Sequence, residues 1–266
     1  MNLNEIFFEF SNKERYEVFK SLYHGKRRHS QLEKELDIPG PEISRHLSRL
    51  LKRNLINKTE DKNYKMTGIG RIFFRVMEIF ETSLKHEKYY NTHDINIIPL
   101  HFILQLGTLK SIETSDKTMK NIETWSSLVK DSEKFVFAIS DQFQDSLLPI
   151  VEKKFSHKSI DVKAVIEESV LQTDVKELLK DRHAFYEKID MFKNIRILGH
   201  LDFSLIVSDK GAILFLSKDD KIDYSECIID NSEAFINWTI ELFEWYWKKG
   251  AHLDTFIKKK YYSKNE

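Results

Sequence analysis

Histidine, cysteine and acidic residues are the side chains best suited to catalysis or metal binding, but their spacing in this chain matches no catalytic motif. A phosphodiesterase that attacks through histidine needs a lysine two residues later to hold the phosphate, whereas His200 is followed at that position by Asp202. The chain also lacks the Gly-x-x-x-x-Gly-Lys loop of phosphate sites and the Gly-x-Ser-x-Gly turn of serine hydrolases. Its ten histidines include no i, i+4 pair, and the single Cys227 cannot anchor a thiolate zinc site. We therefore expect a protein that is not an enzyme and that needs no metal or cofactor.

Positive charge on one face of a short helix is the strongest chemical signal. Over residues 41–53, Ile43, Leu47 and Leu50 recur at helical spacing, and polar or basic residues occupy the opposite face. Such a helix fits the major groove of DNA, where arginine can bond guanine in two places and serine, arginine and lysine reach phosphates. Lysines on a following hairpin, residues 55–66, are spaced to meet the neighbouring backbone. The predicted DNA contacts are Arg27, Arg28, Ser44, Arg45, Ser48, Arg49, Lys52, Lys58, Lys62 and Lys65.

The elements around this helix are the ones that must position it. Residues 11–14 and 30–33 both have the form of a capping box, which predicts that a helix starts at each. Residues 37–41 contain two prolines and cannot continue a helix, but Pro41 is well placed as the first residue of the next one. Two alternating segments around the polar turn 60–63 then predict a hairpin. The order helix, short helix, tight turn, helix and hairpin is the winged helix-turn-helix arrangement.

The net charge of zero hides an uneven distribution. The chain has 266 residues, with 42 Lys and Arg against 42 Asp and Glu. Residues 1–90 contain 18 basic and 13 acidic residues, and residues 26–75 contain 13 and 6, whereas the rest of the chain is acidic. No apolar stretch is long enough to span a membrane, and the N-terminus does not resemble a signal peptide. We expect a cytoplasmic protein with no membrane partner.

Two interpretations of the basic region remain open. In the first, it binds double-stranded DNA. In the second, the same polar face is a solvated surface and the domain is a protein-interaction or adaptor module. Cations cluster together on the helix, on the hairpin and at residues 26–28, and Glu42 is the one acid that interrupts the helix face. This pattern favours DNA.

Residues 69–84 predict a long amphipathic helix, which either packs on its own domain or forms a dimer interface. Two recognition helices must be held about one turn of DNA apart, so we expect a homodimer with this helix in the interface. Its apolar stripe consists of Ile69, Ile72, Phe73, Val76, Phe80 and Leu84.

The second half of the chain predicts an α/β domain. Short apolar strands near residues 134–140, 160–166 and 195–216 alternate with helices predicted over 146–157 and 175–192. A final helix, 232–249, carries a stripe of aromatic residues that is more typical of core packing than of a ligand cage. We divide the chain into a DNA-binding domain (1–90), a helical connector (91–130), a regulatory domain (131–252) and a basic polar tail (253–266).

The ends of these strands are candidate ligand-binding positions. Open α/β sheets often bind ligands at the carboxyl ends of their strands, which nominates Asp141, Glu168, His200 and Asp209 for an unknown small-molecule effector. The same polar residues could instead cap helices or form turns, and the sequence does not decide between the two.

Two parts of the chain resemble known families. Residues 43–50 with Asn54-Leu55-Ile56 resemble the recognition helix and following strand of ArsR-like winged helix-turn-helix regulators of bacteria and archaea. Ile98-Pro99, the segment 208–216 and the segment from Trp238 to Trp247 resemble archaeal regulators with a methanogenesis-regulator middle domain. The element order there is also similar to half of a phospholipase D-like domain, as in sugar-sensing archaeal regulators. These resemblances imply a transcription regulator with a C-terminal sensor or interaction domain.

The expected fold class is therefore an α+β winged helix-turn-helix domain followed by an α/β sensor-like domain. The expected function is DNA-binding transcription regulation. An adaptor is the alternative, and a phospholipase D-like phosphodiesterase ranks third because an acid at position 202 would repel phosphate.

Overall fold

The chain divides into two compact units, Met1–Glu81 and Thr82–Glu266, in a computed structural model. The structure describes residues 2–142, 147–156, 160–170, 191–253 and 255. Most of the helix predicted over 175–192 and nearly all of the predicted tail lie outside the described residues. The helices within the described ranges include none that is both long and apolar enough to cross a membrane.

The first unit consists of helices and a small hairpin around one apolar core. The buried side chains come from every helix of the unit and from the hairpin, and the largest fully buried ones include Phe19, Phe74 and Leu47. Its elements are α1 (Leu3–Phe10), α2 (Lys13–Ser21), α3 (His29–Leu36), α4 (Gly40–Lys52), β1 (Ile56–Lys58), β2 (Tyr64–Met66) and α5 (Gly68–Lys85), which continues into the second unit.

The helices begin close to the predicted positions, but different residues cap them. The Asn12 side chain accepts a hydrogen bond from the Arg15 backbone N–H at 2.8 Å, so Asn12 and not Ser11 caps α2. Helix α3 begins at His29, where the Arg28 backbone N–H donates to Gln31 Oε1 at 2.7 Å. The predicted capping residue is therefore one position too early for α2 and two positions too late for α3. Helix α1 was not predicted at all.

The hairpin packs closely against the start of α5. Strands β1 and β2 pair antiparallel, with Ile56 opposite Met66. The Thr67 hydroxyl accepts from the Gly70 backbone N–H at 3.0 Å, which caps the helix. A Cβ atom on Gly70 would lie 2.2 Å from the carbonyl oxygen of Leu55. Glycine at this position therefore lets the helix and the hairpin meet.

The second unit is a mixed sheet with helices. Its helices are α6 (Glu87–Tyr90), α7 (Leu100–Ile103), α8 (Thr118–Lys130), α9 (Leu148–Ser156) and α10 (Glu233–Lys249), with 3-10 turns at Leu106–Thr108 and Met191–Asn194. Its strands are β3 (Glu113–Ser115), β4 (Phe135–Ser140), β5 (Asp161–Glu167), β6 (Ile195–Leu198), β7 (Phe203–Ser208), β8 (Gly211–Lys218), β9 (Lys221–Ile222), β10 (Cys227–Asp230) and β11 (Ala251–His252).

The sheet is only partly of the predicted α/β type. The strand order is β11-β6-β5-β4-β7-β8-β10-β3, and β9 pairs with β8. Among the described strands, β4, β5 and β6 run parallel, and every other pairing is antiparallel. The tight turn between β7 and β8 explains part of this difference, because two residues can only join antiparallel strands. The predicted α/β domain is therefore a mixed α+β unit.

Aromatic residues of α10 fill the core of the second unit, as the sequence favoured. Phe235, Trp238 and Phe243 are buried, and Trp238 Nε1 donates to the Phe102 carbonyl at 3.1 Å. The segment predicted as a connector contributes to the same unit, since β3 pairs with β10 and Phe102 packs on Trp238. Residues 91–130 are thus integral to the second unit rather than a linker.

Candidate nucleic-acid interface

Helix α4 separates its apolar and polar faces as its sequence pattern predicts. Ile43, Leu47 and Leu50 are fully buried in the core of the first unit. The opposite face is open to solvent from Ser44 to Lys52, more than two turns of the helix, which leaves it accessible to a macromolecular partner. Its exposed residues are Ser44, Arg45, Ser48 and Lys52.

Arg45 and Ser44 are exposed but already have partners. The Arg45 guanidinium forms an ion pair with Glu42 one turn earlier on the same helix. His29 Nε2 lies 2.8 Å from the Ser44 hydroxyl and 3.0 Å from the Gly40 carbonyl, which ties the start of α4 to α3. The Arg45 side chain is 61% exposed, so its ion pair is open to competition from a phosphate or a base.

Arg49 occupies a different position from the one that the sequence suggested. Its guanidinium donates from Nε to Glu9 Oε2 at 2.7 Å and from Nη2 to Glu9 Oε1 at 2.9 Å. Arg53 Nε also donates to Glu9, at 3.2 Å, and Arg15 Nε lies 3.0 Å from Glu9 Oε2. Arg49 therefore anchors α4 to α1, and its charge is largely compensated by a carboxylate within the fold.

Glu9 itself is a buried acid that the sequence reasoning missed. Its side chain is only 2% exposed. Burial disfavours the carboxylate, but the hydrogen bonds from Arg49 and Arg53 and the charge of Arg15 outweigh burial and lower the pKa of Glu9 below 4.5. Glu9 lies in a helix that no sequence pattern predicted, so its spacing to the arginines did not indicate that they would meet.

The two arginines before α3 have separate roles. Arg27 Nε donates to Glu35 at 3.0 Å, and the Arg27 backbone pairs with Tyr64 at the edge of the hairpin. Arg28 is exposed and forms no ion pair within the described residues. Of this pair, only Arg28 presents a free charge to solvent.

The hairpin presents its lysines to solvent. Lys58, Lys62 and Lys65 are exposed, and the ammonium group of Lys58 lies 5.6 Å from the ring centroid of Tyr64. At the tip, hydrogen bonds from Thr59 and then Lys26 lower the pKa of Asp61 well below its usual value. The Lys26 to Asp61 ion pair, at 2.9 Å, ties the tip to the loop that precedes α3.

A second polar cluster lies at the carboxyl ends of β4, β5 and β6. His200 Nδ1 lies 3.3 Å from Glu167 Oε2, and His200 Nε2 lies 2.9 Å from Asp202. Asp141 accepts a hydrogen bond from the Tyr224 hydroxyl. Burial, opposed by that hydrogen bond, raises the pKa of Asp141, and the charge of Glu167 raises it further.

The other two nominated ligand residues make different contacts. Asp209 Oδ1 accepts from the backbone N–H groups of Glu133 and Lys134, at 3.0 Å each. These residues precede β4, whereas Asp141 follows it, so Asp209 lies at the opposite end of the strand and fixes a turn. Glu168 follows β5, and its backbone N–H donates to the Leu198 carbonyl at 2.8 Å. Its neighbour Glu167 is the residue that meets His200.

Family models match both halves of the chain. Residues 119–249 match the model described as the middle domain of methanogenesis regulatory protein FilR1. Residues 3–88 match the model of the HVO_A0261 N-terminal domain. The resemblance to regulators with a methanogenesis-type middle domain is thus confirmed for residues 119–249, whereas the ArsR-like resemblance stays a prediction. No curated protein sequence matches the chain.

Three solved structures that match this chain have low TM-scores. TrmBL2, an archaeal chromatin protein whose structure shows a mode of DNA binding, has a TM-score of 0.43 at 12% identity, covering 91% of this chain and 94% of that one. Phosphatidylserine synthase of Haemophilus influenzae Rd KW20 has a TM-score of 0.39 at 12% identity over 51% and 36% of the two chains. The N,N-8-amino-8-demethyl-D-riboflavin dimethyltransferase of Streptomyces davawensis has a TM-score of 0.23 at 9% identity, covering 74% of this chain and 67% of that one. These scores are too low to support an argument about fold or function.

The contacts of Glu9 predict an acid-sensitive first unit. Because its folded pKa is lowered, the stabilisation by Glu9 is fully present above pH 4.5 and disappears as the pH falls through the folded value. Glu9→Gln should destabilise the unit by about 2 kcal/mol at neutral pH. This loss is smaller than the loss expected on breaking a fully buried ion pair, because the arginines keep some contact with water. Hydrogen exchange of α1 and α4, measured by mass spectrometry, should show faster opening in the variant at pH ~7 and a smaller difference below pH ~4. Equal exchange in the two proteins at neutral pH would show that the network contributes no stability.

Proposed function

We propose that this protein is a transcription regulator that binds double-stranded DNA through a winged helix-turn-helix domain formed by its first unit. The observation that carries the proposal is the exposed polar face of α4, which has no acid turned to solvent beyond Glu42. The match of residues 119–249 to a domain of a methanogenesis regulatory protein supports the same class of function. A protein-interaction module without DNA contact is the competing proposal.

In the proposed complex, α4 enters the major groove and the hairpin follows the phosphate backbone. Arg45 and Ser48 are the candidates to contact bases, because they are exposed near the middle of the helix. Lys52, Lys62 and Lys65 carry charges that no ion pair within the described residues compensates, which suits phosphate contacts. Arg27 and Arg49 leave the proposed contact set, because each is bound to a carboxylate.

Substitutions on α4 test this assignment. Arg45→Ala should weaken binding to DNA that the protein selects from genomic fragments by about 1–3 kcal/mol and reduce its preference over random DNA. Lys52→Ala should weaken binding to both kinds of DNA alike and lower the salt dependence by about 0.9 in the log–log slope. Fluorescence anisotropy titrations at several salt concentrations measure both effects.

Lys34→Ala is the matched control, since Lys34 is an exposed cation on α3 outside the proposed surface. It should bind DNA like the parent protein. If Arg45→Ala and Lys52→Ala also bind like the parent, or if the parent shows no affinity for DNA, the adaptor proposal replaces this one.

We also propose that the regulator is a homodimer that uses the outer face of α5. Ile72 is 60% exposed, Phe80 45% and Val76 38%, and they form one stripe with Ile69 on the part of α5 that belongs to the first unit. Phe73, predicted to be in this stripe, instead packs partly against the core of the first unit. A second copy would bury this stripe and hold two α4 helices at a fixed separation, as two half-sites on DNA require.

Charges on this stripe should dissociate the dimer. Ile72→Glu combined with Phe80→Glu would place unpaired carboxylates in the interface, so sedimentation velocity should change from a dimer to a monomer. Arg75→Glu, on the same helix but outside the stripe, should remain dimeric. A parent protein that sediments as a monomer at the concentrations where it binds DNA would contradict the proposal.

The strand-end cluster is our proposed effector site. It combines Asp141, Glu167, Asp202 and His200 within one edge of the sheet, which suits a small cationic ligand such as an amine. The acids around His200 disfavour a phosphate ligand, because His200 Nε2 lies 2.9 Å from Asp202 and His200 Nδ1 lies 3.3 Å from Glu167.

A thermal-shift screen with polyamines and basic amino acids tests this site. Asp141→Asn and His200→Gln should each remove most of the ligand-induced rise in melting temperature, because each deletes a contact to the bound cation. Asp220→Asn is the control, since Asp220 is an exposed acid with positive φ that asparagine tolerates. Ligand stabilisation that survives in both site variants would exclude these residues.

A further inference from the structure

Three metal-binding side chains meet between α2 and α4. His46 Nε2 lies 3.2 Å from Glu14 Oε2 and 4.0 Å from Glu42 Oε2, and all three ligand atoms are within 4.8 Å of one another. Glu42 and His46 are one turn apart on α4, and Glu14 is in the first turn of α2. The His46 side chain is fully buried, while Glu14 is exposed and provides access from solvent.

We propose that Glu14, Glu42 and His46 form a binding site for a divalent transition metal of the Zn²⁺ type. Tetrahedral Zn²⁺ with bonds of about 2.0–2.2 Å requires ligand atoms about 3.3 Å apart. The Glu14 to His46 distance of 3.2 Å already meets this requirement, whereas Glu42 Oε2, 4.0 Å from His46 Nε2, would have to move closer. Glu42 Oε2 is shielded from solvent and faces the site, and the Arg45 guanidinium is the partner that it would give up to a metal ion.

The site is linked to the proposed DNA contact through Glu42. The same oxygen, Oε2, forms the ion pair with Arg45. A metal ion that takes this oxygen removes the partner of Arg45 and leaves the guanidinium free to contact DNA. This step rests on the proposed function, and it makes the metal an activator of DNA binding.

Cobalt spectroscopy tests the site without DNA. The chain of residues 1–266 without a histidine tag should bind about one equivalent of Co²⁺ with the visible absorption of a tetrahedral site, and Zn²⁺ should displace it. Glu14→Gln, a change at an exposed residue, should remove this absorption, and so should His46→Gln. Glu17→Gln, on the same helix but outside the cluster, should keep it. Equal absorption in Glu14→Gln and Glu17→Gln would overturn the metal site.

DNA binding then tests the link to Arg45. Zn²⁺ should strengthen DNA binding of the parent protein by about tenfold, the size of one base contact, and have no effect on Glu14→Gln. Glu42→Gln releases Arg45 without a metal, so this variant should bind DNA about as tightly as the zinc-loaded parent. Added Zn²⁺ should not change its DNA affinity. If cobalt binds as expected but Zn²⁺ leaves DNA affinity unchanged, the regulatory link is wrong. If no form binds DNA, the proposed function fails, while the cobalt spectra still decide the metal site.

Discussion

The position of α4 depends on the ion pairs of one buried carboxylate. Glu9, on α1, accepts hydrogen bonds from Arg49 and Arg53 and lies beside Arg15 of α2. A carboxylate removed from water is unfavourable unless its oxygens are satisfied, so these arginines must stay where they are while Glu9 is ionised. The network ties the later turns of α4 to α1, while the buried Ile43, Leu47 and Leu50 set which side of α4 faces solvent.

Ion pairs within the fold divide these basic residues into two groups. Arg15, Arg27, Arg49 and Arg53 stabilise the fold through acids, whereas Arg28, Lys52, Lys62 and Lys65 leave their charge in solvent. Arg45 stands between the groups, because its partner Glu42 is only one turn away and also faces His46. A count of basic residues therefore overstates the positive charge that is available to a polyanion. The ion pairs show which basic residues are already neutralised within the fold.

In the second unit, strand direction decides which polar residues meet. Because β4, β5 and β6 are parallel, the residues after them gather at one edge, and this places Asp141, Glu167 and His200 together. Strand β7 is antiparallel to β4, so the turn after it carries Asp209 to the other end. A sequence rule that nominates every strand end is right only for strands that run the same way.

The sequence by itself determined the local elements and their exposed faces. The spacing of Ile43, Leu47 and Leu50 predicted both the helix and its buried side, and the polar turn 60–63 predicted the hairpin to within a residue or two. These features follow from neighbours along the chain, where side-chain period and turn chemistry act directly. The packing role of the α10 aromatics was likewise visible as a helical stripe.

Only the tertiary structure decided which charges are neutralised and which strands are parallel. The pairing of Arg49 with Glu9 joins residues 40 positions apart, and the approach of Glu14 to His46 joins residues 32 apart. Long-range contacts of this kind leave no periodic trace in a single sequence. The i, i+4 spacing of Glu42 and His46 was the one local sign of the cluster, and it gained meaning only when folding brought Glu14 beside it.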